Sequence, residues 1–375
     1  VYGGDTTTYG TMPAKAYVGC LSGGRCILNN VEYPHQAPTS AAGNPFNWNI
    51  YETDADRATV IGTGSAGQIG DVVVALIPAR DGMLVIGCNS SIHIMLQNPG
   101  YGGQLIALPG VGIFGSQSWC FDEDGNLFFW GTGGVYRLAK GATELENVTA
   151  VNLPDLVRDT AANPTTHRIT MGYDLIRRGI RINITVLADG TSTNYWLDLN
   201  SKGIFPETYG AAHGTYSSYF YNANDPTYRG LLIGCTDGYI RVHDDDVDSD
   251  DGTAINAYVD FGPIQLADDG RDGSIEAFDM VLAGGASGSL HDSANVDMRV
   301  YAADTAEEVL EKLDANTGPN AAFIFNGPGR MRGGKKRRGA RGAYIGMKVG
   351  NRQNERTWGM EKIILDGGAP GKRLQ

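Results

Sequence analysis

The sequence is short of charge and short of cysteine chemistry. Only 19% of its 375 residues are Asp, Glu, Lys or Arg, and its five cysteines, Cys20, Cys26, Cys88, Cys120 and Cys235, are odd in number and scattered. Without a C-x-x-C pair, neither a disulfide framework nor a structural zinc site is expected. No apolar run is long enough to span a bilayer and no secretory leader pattern is visible, so no membrane insertion by this chain is expected. The first residue is Val1, so an N-terminus that is processed or begins further upstream is expected. The usual marks of catalysis are missing too. There is no G-x-S-x-G elbow, no H-E-x-x-H and no Walker sequence. The six histidines, His35, His93, His167, His213, His243 and His291, are spread along the chain, and no cofactor is implied. A net charge of −12 argues against a general nucleic-acid binder, whose phosphate-neutralising surface would make the chain basic.

What is abundant is glycine, 53 residues of it, beside many Tyr, Val and Ile. That mixture points to short strands joined by many turns. One pattern recurs: LVIGCNSSIHIML at 84–96, LFFWGTGGVYRLA at 127–139 and LLIGCTDGYIRVH at 231–243. Each reads as strand, tight turn, strand, with Gly, Asn or Asp supplying the turn's positive φ. Cys88 and Cys235 occupy the same place, after Gly87 and Gly234, and read as small buried residues. His93, between Ile92 and Ile94, reads as a strand residue on a sheet face.

A further strand precedes two of the copies (72–77 and 118–121), and an outer strand follows (104–108 and 144–151), giving four antiparallel strands per unit. The interval from Leu127 to Leu231 leaves room for a degenerate unit at 167–174, 179–190 and 193–205, and 17–36 reads as another. A period of about 40–50 residues with four strands each is the signature of a β-propeller. Five blades are recognisable, and a sixth could be assembled from the chain ends, for about five to six in all.

Beyond about Gly262 the repeat stops. The expected organisation is therefore all-β: a propeller over 1–262 and a smaller sandwich-like domain over 263–375. The second domain should carry one short helix, capped by Thr305 with Glu308 completing a capping box and Val309, Leu310 and Leu313 as its apolar stripe.

Two charged clusters stand out. Arg330, Arg332, Lys335, Lys336, Arg337, Arg338 and Arg341 form a basic segment within an acidic chain. Asp244, Asp245, Asp246, Asp248, Asp250 and Asp251 form an acidic one. The basic segment could meet an acidic neighbouring subunit, grip phosphates, or be a solvated loop guarding an edge strand. Asp246, Asp248 and Asp250 have the alternating spacing of a calcium loop, but Asp251 stands where its glycine belongs and Ala257 where its glutamate belongs. An acidic surface turn is the expectation. A propeller glycosidase is the enzymatic alternative. Its nearest approach to a sugar-hydrolase turn is Asp122-Glu123-Asp124-Gly125-Asn126, which lacks the serine and has Trp130 too late. Asp54, Asp56, Asp71 and Asp81 can be nominated as acids, but no pattern singles them out.

Taken in order, these pieces resemble a family of virion proteins: the propeller-bearing nozzle or hub proteins that cap the tails of short-tailed bacteriophages. The resemblance is carried by 23–50 with Asn44, Pro45 and Trp48, by 71–99, by 111–138, and by the ending with its Arg-rich turn, Trp358, Glu361 and a terminal Gly-Lys/Arg element. It implies a non-enzymatic structural protein located in the virion tail. It further implies a homo-oligomeric ring, six subunits around the DNA-ejection channel, with adaptor and fibre proteins as neighbours and DNA passing only transiently. An acidic wall would repel that DNA rather than hold it. Ring contact between the basic segment and the acidic cluster of a neighbour is the corresponding expectation. A carbohydrate-binding, receptor-binding or depolymerase tail component is the alternative.

Overall fold

The structure, a computed structural model, describes the chain except for residues 1–4, 65–66, 80–82, 142, 211–213, 245–248, 267–271, 284–292, 294, 334–339, 352–357 and 369–375. Two compact units divide it, Val1–Asp244 and Asp245–Gln375.

The first unit is a β-propeller of five antiparallel meanders. Blade 1 comprises Gly19–Ser22, Arg25–Leu28, Ala37–Thr39 and Thr59–Ile61; blade 2 comprises Val73–Pro78, Leu84–Cys88, Ser91–Leu96 and Gln104–Pro109. Blade 3 is Trp119–Phe121, Leu127–Gly131, Gly134–Leu138 and Leu145–Asn147, and blade 4 is His167–Asp174, Gly179–Val186, Ser192–Asp198 and Ile204–Glu207. Blade 5 has three strands, Thr215–Tyr221, Gly230–Cys235 and Ile240–Val242. The repeated hairpins at 84–96, 127–139 and 231–243 thus fall on the same two strands of blades 2, 3 and 5.

Why the central strands read as unbroken apolar runs follows from their burial on both faces. In blade 2, Leu84, Ile86 and Cys88 pack with Ile27, Ala37 and Ile61 of blade 1. The alternate residue Val85, with Ile92 and Ile94, packs with Leu127 and Phe129 of blade 3. Blade 3 repeats the arrangement: Phe128 and Trp130 face Ile180, Ile182 and Ile184 of blade 4. Stacking blades in chain order therefore gives the inner blades 2 to 4 a second layer on either side, which a lone four-stranded sheet cannot have.

No sixth blade is formed from the chain ends among the described residues. At the front, Thr6–Tyr9 is a single helical turn capped by Asp5, and Gly10 bridges to Trp48 in the loop of blade 1. The N-P-x-x-W element closes that loop: the Trp48 indole Nε1 donates to Pro45 O at 2.9 Å, and the ring is buried. At the other end, Gly359–Gly368 is committed to a sheet of the second unit by pairing with Gly273–Ala283.

The second unit is a two-sheet sandwich. One sheet orders Ala257–Gln265, Tyr344–Asn351, Val296–Ala303 and Ala321–Phe325; in the other, Gly329–Gly333, Ala340–Gly342 and Gly359–Gly368 all pair with Gly273–Ala283. Phe278, Met280 and Leu282 of the second sheet meet Met298, Val300, Phe325, Met347 and Val349 of the first. The strand Ala257–Gln265 belongs here, because its hydrogen bonds go to Tyr344–Asn351. The compact units accordingly part at Asp244, ahead of the change in repeat pattern at Gly262. The helix Ala306–Ala315 lies over Gly346, where an added Cβ would meet Val309 and Leu313. Those two side chains are buried against Tyr301, Ala303 and Tyr344, and Leu310 is exposed.

Candidate functional site

The basic segment is built on a strand of the sandwich. Gly329–Gly333 runs antiparallel to Gly273–Ala283, with Arg330 opposite Val281 and Arg332 opposite Asp279. Arg330 is tied within the unit: its Nη2 lies 2.6 Å from Asp279 Oδ2, and the carboxylate is largely buried. Arg341, opposite Ser274, pairs with Asp272 at 3.2 Å. Lys335, Lys336, Arg337 and Arg338 lie outside the described residues, as do Asp245, Asp246 and Asp248. Asp244 ends the first unit. Asp250 sits in a two-residue hairpin opposite Thr253, and Asp251 takes the left-handed turn at its tip with φ +47°. The structure thus places Arg330 and Arg341 in ion pairs of their own unit. It places Asp250 and Asp251 in the tight turn that the sequence suggests.

Of the acids nominated for sugar chemistry, Asp71 is occupied by structure and Asp54 Oδ1 accepts from Asp56 N at 3.2 Å; Asp122, in the turn nearest a sugar-hydrolase pattern, is occupied too. Asp122 accepts from Asn126 N at 2.8 Å and from Asn126 Nδ2 at 2.6 Å, closing the turn that positions Leu127–Gly131. Asp71 accepts from Val72 N, Ser90 N, Ser90 Oγ and Ser91 Oγ. Burial raises the Asp71 pKa, but these donors outweigh it and hold the carboxyl below its ordinary value. A general acid needs the opposite shift. Asp81 lies outside the described residues.

The fold assembles two further sites, the first beside the Asp122–Asn126 turn. One is a cleft of about 270 Å³ where blades 3 and 4 meet, with Phe128, Tyr173 and Leu197 in its wall. Ion pairs link the two blades across it, Arg178–Glu123 at 3.6 Å and Lys202–Glu146 at 3.8 Å, and Arg137–Glu146 at 3.4 Å lies along its blade 3 side. The second is a buried charge. Arg181, 2% exposed, extends from the middle of Gly179–Val186 on the face toward blade 5. Its Nη1 donates to both Glu207 oxygens, at 2.7 and 2.9 Å, and its guanidinium lies 5.1 Å from the Trp196 ring. The Tyr209 hydroxyl donates to Glu207 at 2.8 Å and lies 3.3 Å from His243 Nε2. Burial, and then the Arg181 charge, keep the His243 imidazole neutral, its pKa pushed down to about 3. Desolvation and Glu207 push the Tyr209 hydroxyl upward. The only sequence signal for this cluster is an arginine inside an otherwise strand-like run.

The blade stack ends on a bare sheet face. On the outer side of blade 5 the register aligns Tyr219, Leu232 and Val242 in one row and Ser217, Gly234 and Ile240 in the next. Tyr219 is 71% exposed and Ile240 74%, with Tyr221 and Val242 exposed beside them. Residues on the next-blade face within the stack, such as Val85 in blade 2 and Phe128 in blade 3, are buried. At the opposite end, Leu21 of blade 1 is 74% exposed.

No protein-family model matches the chain, and no curated protein matches it. Among solved structures it is similar to the extracellular domain of a hybrid two component system from B. thetaiotaomicron, at 10% identity and a TM-score of 0.41. That overlap covers 76% of this chain, and the chain spans about a third (33%) of the length of that protein. It is also similar to the β-propeller domain of Cps50 (Swd1) from Myceliophteria thermophila, at 13% identity and a TM-score of 0.31, over 62% of this chain and 67% of that one. No activity, ligand or partner is carried over from either.

Proposed function

We propose that the chain is a non-enzymatic structural protein of a tailed-phage virion, a nozzle or hub subunit that packs against copies of itself in a ring around the DNA-ejection channel. The observation that supports this reading is the bare outer face of blade 5. The faces between successive blades are covered, and the fold gains its stability by covering them. Burying a large apolar or aromatic side chain is worth about 1.5–3 kcal/mol, so Tyr219, Ile240 and Val242 left in water are a large unused reserve. A second copy is the occupant that continues the stack, offering the exposed edge of its blade 1 around Leu21. Such a contact is heterologous and closes into a ring if the rotation per subunit allows. The charge of −12 fits a wall that lets DNA slide past. Since Arg330 and Arg341 are already paired, an electrostatic contact with the neighbour rests on Arg332, Lys335, Lys336, Arg337 and Arg338.

The test is negative-stain imaging with light scattering of the purified chain. Hollow rings of uniform mass are the expected result, six subunits being the number that the family resemblance implies. A monodisperse monomer at every concentration tried overturns the reading. A monomer that binds oligosaccharides would favour the carbohydrate-binding alternative, with the cleft between blades 3 and 4 as its seat.

A further inference from the structure

Blades 1 to 4 are joined by apolar cores, but blade 5 is held differently. The face of blade 4 that it covers carries Arg181, Asn183 and Thr185 on one strand. Thr170 stands directly opposite Asn183 on one side and Asn194 on the other, so three polar side chains cross the sheet in a line. Glu207 continues that line beyond Asn194. All are covered: Thr170, Asn183, Asn194 and Arg181 are among the most buried polar residues of the chain. Gly172 lets the cover come close, since an added Cβ there would meet Ser218 Oγ and Leu231 Cδ1. Direct polar contact across the face is slight, Thr185 Oγ1 donating to Thr215 O at 2.9 Å.

Eight buried polar atoms here have no hydrogen-bond partner among the described residues: Thr170 Oγ1, Arg181 Nε and Nη2, both amide atoms of Asn183, Asn194 Oδ1, Thr215 Oγ1 and Ser218 Oγ. Buried polar groups are almost always satisfied, and a concentration like this needs a ligand. Its chemistry can be read from the atoms. Arg181 offers the two donors on one edge of its guanidinium, whereas Asn183 and Asn194 offer carbonyl oxygens and the hydroxyls offer both functions. An anion would satisfy the donors and leave the carbonyl oxygens stranded. It would also add charge beside Arg181, which Glu207 already neutralises. Only a small molecule that both donates and accepts fits every atom.

We propose that blades 4 and 5 are joined through a built-in row of ordered water, about three molecules by the usual number of bonds per buried water, and that this wet seam is where the propeller opens first. Blade 5 is then held on one face by water-mediated bonds beside the buried Leu231 and Ile233 and is bare on the other, whereas blades 2 and 3 are clamped by apolar side chains on both. The water row rests on the blade 4–5 face alone, and the order of opening is that of the isolated chain, in which the outer face of blade 5 is exposed.

A high-resolution crystal structure of the whole chain, paired with hydrogen exchange read by mass spectrometry, tests it. The expected result is density for waters bridging Arg181 Nε and Nη2, Asn183 and Thr170, with peptides from 215–221 and 230–242 exchanging before those from 84–96 and 127–138. In the variant Thr170→Val/Asn183→Leu/Asn194→Leu the waters leave the line, and exchange of the blade 5 peptides slows by at least about threefold as the seam becomes apolar. A seam whose side chains pair only with one another overturns the proposal, as does unchanged or faster exchange of blade 5 in a folded triple variant. Should the triple variant not fold, Thr170→Val alone is read in the same way.

Discussion

Gly112 shows how tightly the stack is specified at the level of one atom. Its Cβ, if present, would sit 1.9 Å from Asn89 O, backbone against backbone, where blade 2 ends and the chain crosses to blade 3. Neighbouring Ile113 donates to Cys88 O at 2.9 Å and bridges to Gly131, so the crossing is pinned on both sides. Gly112→Ala should therefore cost about 1–3 kcal/mol, the range for overpacking, measured as a lower urea midpoint at unchanged slope. His243 makes a second residue-scale prediction. Its pKa falls from 6.5 to about 3 on folding. Between those values the unfolded chain binds a proton at this position that the native chain does not. Stability is thus full above about pH 6.5 and declines as pH falls, by up to about 1.4 kcal/mol per pH unit. Burial lowers the His93 pKa as well, and it acts in the same direction. His243→Gln should flatten the pH profile of unfolding below neutrality without abolishing its slope; an identical profile would show that His243 titrates freely. At this scale the sequence was legible where residues are bland. Cys88 and Cys235 are both buried, and burial pushes the Cys88 thiol up to about 12, away from reactivity. His93 is a buried strand residue whose ring lies 3.1 Å from Ser91 Oγ. Arg181 was illegible, because its partners Glu207, Tyr209 and His243 are brought to it only by the fourth strand of blade 4 and the end of blade 5.

Elements divide by how their pattern maps onto burial. LVIGC and LFFWG are apolar throughout and are buried on both faces, so pattern and environment agree. GIRINITV alternates apolar and polar residues, which by the period-two rule is a strand with one wet face. Yet it is buried along nearly its whole length. Neither face is open to solvent, and no local pattern can distinguish a polar face that meets bulk water from one that meets another blade. The helix Ala306–Ala315 is a simpler case. Thr305 Oγ1 accepts from Glu308 N at 3.2 Å, as the capping pattern suggests. The Glu308 carboxylate pairs with Lys312 one turn on, at 2.8 Å. Thr305→Ala should cost about 1 kcal/mol, typical of a lost N-cap. Because the helix covers Gly346 and Tyr301, the loss should appear in the melting of the sandwich unit and leave exchange in blades 2 and 3 untouched. Equal loss of protection in both units would refute that separation.

For the molecule as a whole, the repeat was the legible feature, since blade stacking forces the same strand–turn–strand grammar on each sector. The boundary was less so. A polypeptide can leave its last blade and begin a new sheet without any change in strand-like composition, and 257–265 looks no less like a blade strand than like a sandwich strand. Which side it joins is decided by hydrogen bonds to residues nearly ninety positions later, which local patterns do not encode. The bare end of the stack could not be read either: Tyr219, Ile240 and Val242 belong to an ordinary blade sequence, and only the lack of a covering layer sets them apart. That difference provides the decisive variant. Tyr219→Lys/Ile240→Lys places two cations on a face that loses nothing in the isolated chain, so its unfolding free energy should stay within the small range of surface substitutions, about 0.5 kcal/mol. If a second copy covers the face, the same change buries two unpaired charges and the assembly should fall apart to monomers in light scattering. Arg330→Gln, which removes a cation already engaged with Asp279, should instead leave assembly intact while weakening the sandwich. Rings that survive the double lysine variant would mean that blade 5 faces solvent in the assembled state, and the contact between subunits would have to be sought on the sandwich unit.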